Sequence, residues 1–544
     1  MIMARFPDSS LKATSSAQTV AREDFNPAIQ VFGRRFFKDQ TPVEYLAEFL
    51  LVFASAKDGY EGNAYTFPLY GSTPSKLSYH PRYRLALKLF SFLGASKLET
   101  RHRSHIESFK AGVRALEQRI NPGSKISRND AVRLIQGVFS GFVGVAGDRT
   151  WTAHTFLPAS ETLLAREILW EHGGAQGAAK KPNMTWEEAL NGPYFNTSAH
   201  SFMARGGEQL YLQLTSLFNN YKGRGSHALF PPKECQTYAH LHSVTDLSML
   251  RASLQTGLMQ VLHESDQAIG PLGEFIRGTF EEAGVESEGA SDSADLGWVP
   301  TDTATEASLF AWEIDNICRA QRSGLQKISL LRDLCVLHVM RTLCFRSARV
   351  ARSATTKQFV GNYAWIVSPT EEQASDNIRK IAVNAYVEIE NLLYESLRVY
   401  EEYDEGVEPS TADARERWLN GGDDNALRLF RKIGKQVGVV VPRNGPGMRM
   451  TLPAPIVRLL IAALIPPGAR IQLDKFYERI YAHYGLAINQ DMIQLALASS
   501  RTQHASDAFG IDSSWFEEEL RRGGYLIPLS DAVALVLNPY EGKK

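Results

Sequence analysis

APIVRLLIAALIPPGARIQLDKFYERIYAHYG, residues 454–485, is the stretch from which the fold is read outward. Ile456, Leu459, Leu460, Ala463 and Leu464 recur at helical spacing, and Pro466-Pro467-Gly468 closes that helix. Arg458 interrupts the apolar run, so it reads as a buried helix rather than a membrane span. Arg470-Ile471-Gln472 is a short extended piece, and Asp474–Tyr484 a second helix with Phe476, Ile480 and Tyr481 inward. Gly485 fits its left-handed cap. Helices are predicted over 489–500 and Ser513–Arg522, the latter stopped by Gly523-Gly524. Strands Tyr525–Leu529 and Ala532–Leu537 follow, joined across Ser530-Asp531. Helix, strand, helix, helix, β-hairpin is the order of a winged helix, with one helix to spare.

Upstream the pattern is helical almost throughout. Tyr45, Phe49, Leu50 and Phe53 share a face behind Pro42, a residue suited to a first turn. Periodicity runs from Tyr83 to Ile120 and ends at Asn121-Pro122-Gly123; further helices fall at 130–145, 207–219, 243–264, 306–350 and 371–403. Polar composition marks the breaks: a mobile arm over 1–25, an acidic Ser/Gly-rich linker at 284–306, and a second at 405–424. The expected class is mainly α: a multi-domain helical protein with domains at 26–283, 307–404 and 425–544, the last winged-helix-like.

The net charge of −1 rules out a polycation, so any nucleic-acid surface must be a local patch. Two segments qualify. Between Lys76 and Arg128 twelve cations, among them Arg82, Arg84, Lys88, Arg101 and Arg103, face three anions. Between Arg319 and Lys357 Asp333 is the lone anion, and Arg346, Arg349 and Arg352 fall at i, i+3, i+6 on one helix face. Such stripes suit a phosphate backbone, where each contact releases counterions. A solvated face, or pairing of 319–357 with the acidic stretch 371–405, accounts for the second segment equally well. The helix before the C-terminal hairpin carries Glu517, Glu518 and Glu519, the wrong sign for DNA, which favours a protein-contact role for that domain.

Catalytic signatures are absent: no GxxxxGK[ST], GxSxG or HExxH, and no Gly-rich dinucleotide fingerprint. Cys235, Cys318, Cys335 and Cys344 form no zinc-type spacing and suit a reducing compartment. No signal peptide opens the chain, so a cytoplasmic location is expected. His102 and His105 lack further ligands, and Cys335, His338 and Cys344 read as core. Neither metal nor cofactor is expected. Two non-periodic stretches, Asp148–His154 and His200–Glu208, bring Arg149, Arg205 and Glu208 beside glycines at helix starts. They read as an anion site or as a buried structural knot.

The segments FGRRFFKDQTPVEYLAEFLLVF (32–53), GDRTWTAHTFLP (147–158), FMARGGEQLYLQL (202–214) and the 425–470 approach carry a resemblance. They resemble large uncharacterised proteins encoded beside ATPases and helicases in bacterial anti-phage defence islands. That resemblance implies a role against phage or plasmid DNA as one subunit of a complex, and transfers no site residues. The expected function is a non-enzymatic, DNA-associated defence subunit that docks a partner ATPase, helicase or nuclease. A nuclease-type effector with a divergent active site and a scaffold without nucleic-acid contact stand as alternatives.

Overall fold

The computed structural model describes residues 27–32, 36, 40–58, 64–69, 77–81, 87, 90, 103–121, 123, 125–142, 156–164, 206–220, 240–241, 246–284, 294–297, 304–352, 363–369, 375–399, 411–498, 500, 502–530 and 533–542. The arm expected over 1–25 lies outside them.

Helix α1 spans Pro27–Phe32 and α2 Pro42–Ala54. Thr41 starts α2 with a capping box: its hydroxyl accepts the Glu44 amide, and the Glu44 carboxylate takes the Thr41 N–H at 2.6 Å. Pro42 occupies the first turn, as expected. The end of α2 is closed by a buried lysine, whose amine is pushed by burial well below the usual lysine range. Lys57, buried on strand β1 (Ala56–Lys57), donates Nζ to Phe53 O and Ser55 O, each at 2.7 Å. Strand β1 pairs antiparallel with β2 (Leu77–His80), which pairs with β3 (Ala294–Gly297). Residues expected to be linker thus supply a strand.

Helices α3 (Arg103–Arg119), α4 (Arg128–Ser140), α5 (Gly206–Asn220) and α6 (Leu247–Glu282) follow. The sequence ends α6 near 264, but the helix continues through Pro271. Ile276 and Phe280 explain the continuation. They are buried with Phe90, Leu116 and Phe139 in a second apolar cluster that only a continued helix can reach.

Helices α7 (Ala304–Arg319) and α8 (Gly324–Arg352) form a hairpin turning at 320–323. The sequence LLRDLCVLHVMRTLCF (330–345) is apolar on every side, the signature of a buried helix. Accordingly α8 is packed around its circumference. It touches α1, α2, α5, α6 and α7. From the C-terminal side come α9 (Asp376–Ser396), α11 (Leu429–Gln436) and α12 (Ala454–Leu464). The main core runs from Ala28 to Val536 without interruption at either predicted linker. The second linker also holds a helix, α10 (Ala412–Asp423), capped by Thr411.

The C-terminal order matches the reading. Strand β4 (Trp365–Ile366) precedes α9, and β5 (Val440–Val441) pairs with β6 (Arg449–Met450). After α12 come β7 (Arg470–Gln472), α13 (Leu473–Tyr484), β8 (Leu486–Ala487), α14 (Gln490–Leu497) and α15 (Ser514–Arg522). Strands β9 (Leu526–Ser530) and β10 (Val533–Leu537) close it, in an antiparallel sheet ordered β7-β10-β9. Gly485 takes φ 73°, the left-handed cap anticipated for α13. The parallel β4–β8 pair was not anticipated; it carries 365–366 onto the end of α13. The fold is mainly α, and no described helix is long and apolar enough to cross a membrane.

The α2–α5 contact sets a test. A Cβ at Gly207 would come within 2.5 Å of Phe49 N on α2. Alanine for glycine inside a helix ordinarily gains up to about 1 kcal/mol. At Gly207 the sign should invert, and Gly207→Ala should cost about 1–3 kcal/mol by overpacking, read from denaturant midpoints.

Candidate nucleic-acid interface

Of the second basic segment, Lys327, Arg341, Arg346 and Arg349 lie inside the protein, whereas Arg319 is exposed. Arg346 and Arg349, placed by spacing on a phosphate-facing stripe, are 2% and 5% exposed. Arg349 makes a bidentate pair with Glu306 at 2.8 and 2.7 Å, and Arg346 Nε donates to Val31 O on α1 at 3.0 Å. The Arg352 side chain lies outside the described residues. Helical spacing places charges on one face but does not say whether that face meets water; α8 is surrounded, and Arg346 and Arg349 are buried against α1 and Glu306. Most of the carboxylates of the acidic stretch after 400 lie outside the described residues. On α9, Glu390 binds Arg431 and Glu388 accepts from Ser500 and Thr502.

Arg341, unmarked by the sequence reading, is the centre of a buried polar chain. Its guanidinium donates to both Glu313 oxygens at 2.8 and 3.0 Å, to His483 O at 3.1 Å, and to His338 Nδ1 at 2.7 Å. Burial, reinforced by the Arg341 charge, pushes the His338 imidazole well below its usual range, so it is neutral. Since Nδ1 accepts, Nε2–H donates to Gln213 at 2.7 Å, and the ring stacks on Phe310 at 4.0 Å. Burial pushes the Glu313 carboxyl up, but the Arg341 charge and the His483 hydrogen bond outweigh it and hold it below its ordinary value. His483, also neutral through burial, donates Nδ1–H to Glu313 at 2.7 Å. Its Nε2 therefore accepts from Nε2 of half-buried His240 at 2.8 Å. Cys335, His338 and Cys344 are core, as expected.

Glu208 belongs to a knot, not an open anion site. The first amides of α5 are already taken: Gly206 N–H by Gln40 Oε1 at 3.2 Å, and Gly207 N–H by Glu48 Oε2 at 2.9 Å. A carboxyl group of the protein thus occupies the position where an external anion would bind. Buried Glu208 accepts the Tyr79 hydroxyl at 2.8 Å. Burial, then the neighbouring Glu208 charge, raises the Glu48 carboxyl well above its usual range. Arg149 and Arg205 lie outside the described residues.

The first basic segment behaves oppositely. Arg82, Arg84, Lys88, Arg101 and His102 lie outside the described residues, as do the side chains of Arg103 and His105. Beyond them, α3 and α4 bury Leu116, Val132 and Phe139 and present Lys110, Arg114, Arg119, Lys125, Arg128 and Arg133 to solvent. Arg119 is held by Glu282 at 3.0 Å and by the Thr279 hydroxyl at 3.2 Å. Arg114, Lys125, Arg128 and Arg133 have no acidic partner among the described residues. The nearby Asp130 is engaged in capping α4 through Ser127. Gly112 lets α3 lie flush on the Phe280 ring of α6, which fixes this cationic face to the second apolar cluster. Arg133 sits beyond the stretch counted in the sequence; the signal for it was an amphipathic helix with its cation opposite Val132.

Comparison with protein families, with curated proteins and with solved structures finds no match for this chain. Among the described residues, no group of three or more His, Cys, Asp or Glu side chains could hold a metal ion.

Two measurements follow from the burial pattern. Arg349→Met should cost about 3–5 kcal/mol in urea unfolding by stranding Glu306, whereas Arg349→Met with Glu306→Leu should recover most of that loss. Glu48→Gln should stabilise the protein near neutral pH. The native carboxyl binds a proton that the unfolded chain releases, so stability falls as pH rises from the ordinary carboxylate range toward the raised native value. The melting-temperature gain of the variant should therefore shrink as pH is lowered below that window.

Proposed function

We propose that this chain is a non-enzymatic, DNA-associated subunit of a cytoplasmic bacterial anti-phage or anti-plasmid defence complex. In this reading it grips the nucleic-acid backbone and docks a partner ATPase, helicase or nuclease. The supporting observation is the exposed set Arg114, Lys125, Arg128 and Arg133 on α3, α4 and the turn between them, which has no acidic partner among the described residues. Phosphate contacts of this kind position a duplex without reading its bases, so sequence preference is weak.

Residues 454–540 fit a winged helix, with the sheet order β7-β10-β9 and an extra helix, α14, before α15. On α15, Glu518 and Glu519 are engaged by Arg521 and Arg522, which leaves a mixed-charge face rather than a cationic one. The hairpin exposes Leu529 (60%) and Val533 (40%). Both features suit contact with protein better than with phosphate. A scaffold without nucleic-acid contact is the second reading, favoured by the internal pairing of Arg341, Arg346 and Arg349.

Fluorescence anisotropy on a labelled duplex distinguishes them. Affinity should fall by orders of magnitude between about 50 and 200 mM salt. Arg114→Glu, Arg128→Glu and Arg133→Glu combined should flatten the salt slope by about three, one per contact. Unchanged affinity in that variant removes this surface from the reading. Absence of binding at low salt leaves the scaffold, and Mg²⁺-dependent cleavage would make the chain a nuclease.

A further inference from the structure

Arg322 lies in the turn between α7 and α8, and 9% of its surface is exposed. Its guanidinium sits 3.5 Å over the Tyr540 ring. Nε and Nη2 are both sealed from solvent, and neither has a hydrogen-bond partner. The acidic groups nearest in sequence are engaged elsewhere: Arg319 holds Asp315 at 3.2 Å, Arg341 holds Glu313 at 2.8 Å, and Arg332 holds Asp333 at 2.8 and 2.7 Å. Glu541 contributes only its backbone carbonyl, to Gln321 N at 2.9 Å. A second cation, Arg458 on the exposed face of α12, is near enough to push the Arg322 guanidinium in the same direction as burial does, and Tyr525 and Tyr540 oppose it.

A desolvated guanidinium with two idle donors beside a like charge is costly on its own. The surrounding tyrosines bring hydroxyls but no negative charge at neutral pH. What the cluster lacks is an anion with several acceptor oxygens.

We propose that Arg322, Arg458, Tyr525 and Tyr540 form a binding site for a phosphate group. The planar fork of an arginine matches two phosphate oxygens at once, and a second cation matches the second charge of a phosphate monoester. The site shares no residue with the cationic face of α3 and α4 and does not depend on it. The phosphate arrives either as a free monoester or inorganic ion, or as a diester within a nucleic acid.

The test uses the full chain. Melting temperature and calorimetric binding are measured with inorganic phosphate and pyrophosphate, against chloride at equal ionic strength. A short oligonucleotide with and without a 5′-phosphate supplies the other source. Phosphate should raise the melting temperature of the unaltered protein, and Arg322→Met and Arg458→Met should each weaken binding at least about tenfold, the loss of one charge-assisted bond. Without phosphate, Arg322→Met should melt no lower than the parent, because it removes donors that have no acceptor. Response to the free ions identifies a small-molecule site, and a response confined to the oligonucleotide, lost in Arg322→Met, identifies a nucleic-acid one. No response to any of these probes overturns the proposal. So does an Arg322→Met protein that melts lower without phosphate yet binds it as the parent does, since the guanidinium would then be a clamp on Tyr540. Should Arg322→Met fail to fold, unchanged phosphate affinity in Arg458→Met overturns it equally.

Discussion

The helical hairpin of α7 and α8 is held in register by two buried ion pairs. Arg341 meets Glu313 across 28 residues of sequence, and Arg349 meets Glu306 across 43. The two pairs share nearly the same midpoint in the chain, as an antiparallel hairpin requires. Sliding one helix past the other would strand both carboxylates in the core, at several kcal/mol each. With register fixed, α8 can offer every face to a neighbour, and the N-terminal and C-terminal helices pack onto the same helix. The His338–Arg341–Glu313–His483 chain extends this constraint to α13, and so to the C-terminal sheet.

This explains why the cation count of the sequence divides as it does. Both basic segments have helical spacing and few acidic neighbours, and counting alone makes them equivalent. They differ in what surrounds them. Apolar residues flank the arginines of α8 on all sides, whereas α4 has one apolar face around Val132 and Phe139. Hydrophobic patterning around a cation is thus more informative than the density of cations. The clue was present: Glu306 and Glu313 stand seven apart on α7, and Arg341 and Arg349 eight apart on α8.

Much of the fold was legible because local rules decide it. Pro42 in the first turn of α2, the left-handed Gly485 and the C-terminal hairpin are short-range features with direct physical signatures. What was not legible depended on distant partners. Strand β3 sits in a polar stretch that only β2 makes into a strand. Pro271 usually ends a helix, but Ile276 and Phe280 have a cluster to fill. Of the cations counted in the first basic segment, those that the structure describes as exposed lie towards its end, with Arg133 just past it. Glu208 joined a knot because Gln40 and Glu48, far away in sequence, occupy the amides beside it.

Helix α6 has a mechanical consequence. Its 36 residues extend about 54 Å. Leu254, Leu258 and Leu262 are embedded in the main core, and Ile276 and Phe280 in the second cluster, which carries the cationic face. A force applied to that face passes along this rod into the packing around α8. Pro271 lies between the two anchorages and deletes one rung of the hydrogen-bond ladder there. The rod is therefore most compliant at a defined point along its length, between its two anchorages and ahead of the ion-paired hairpin.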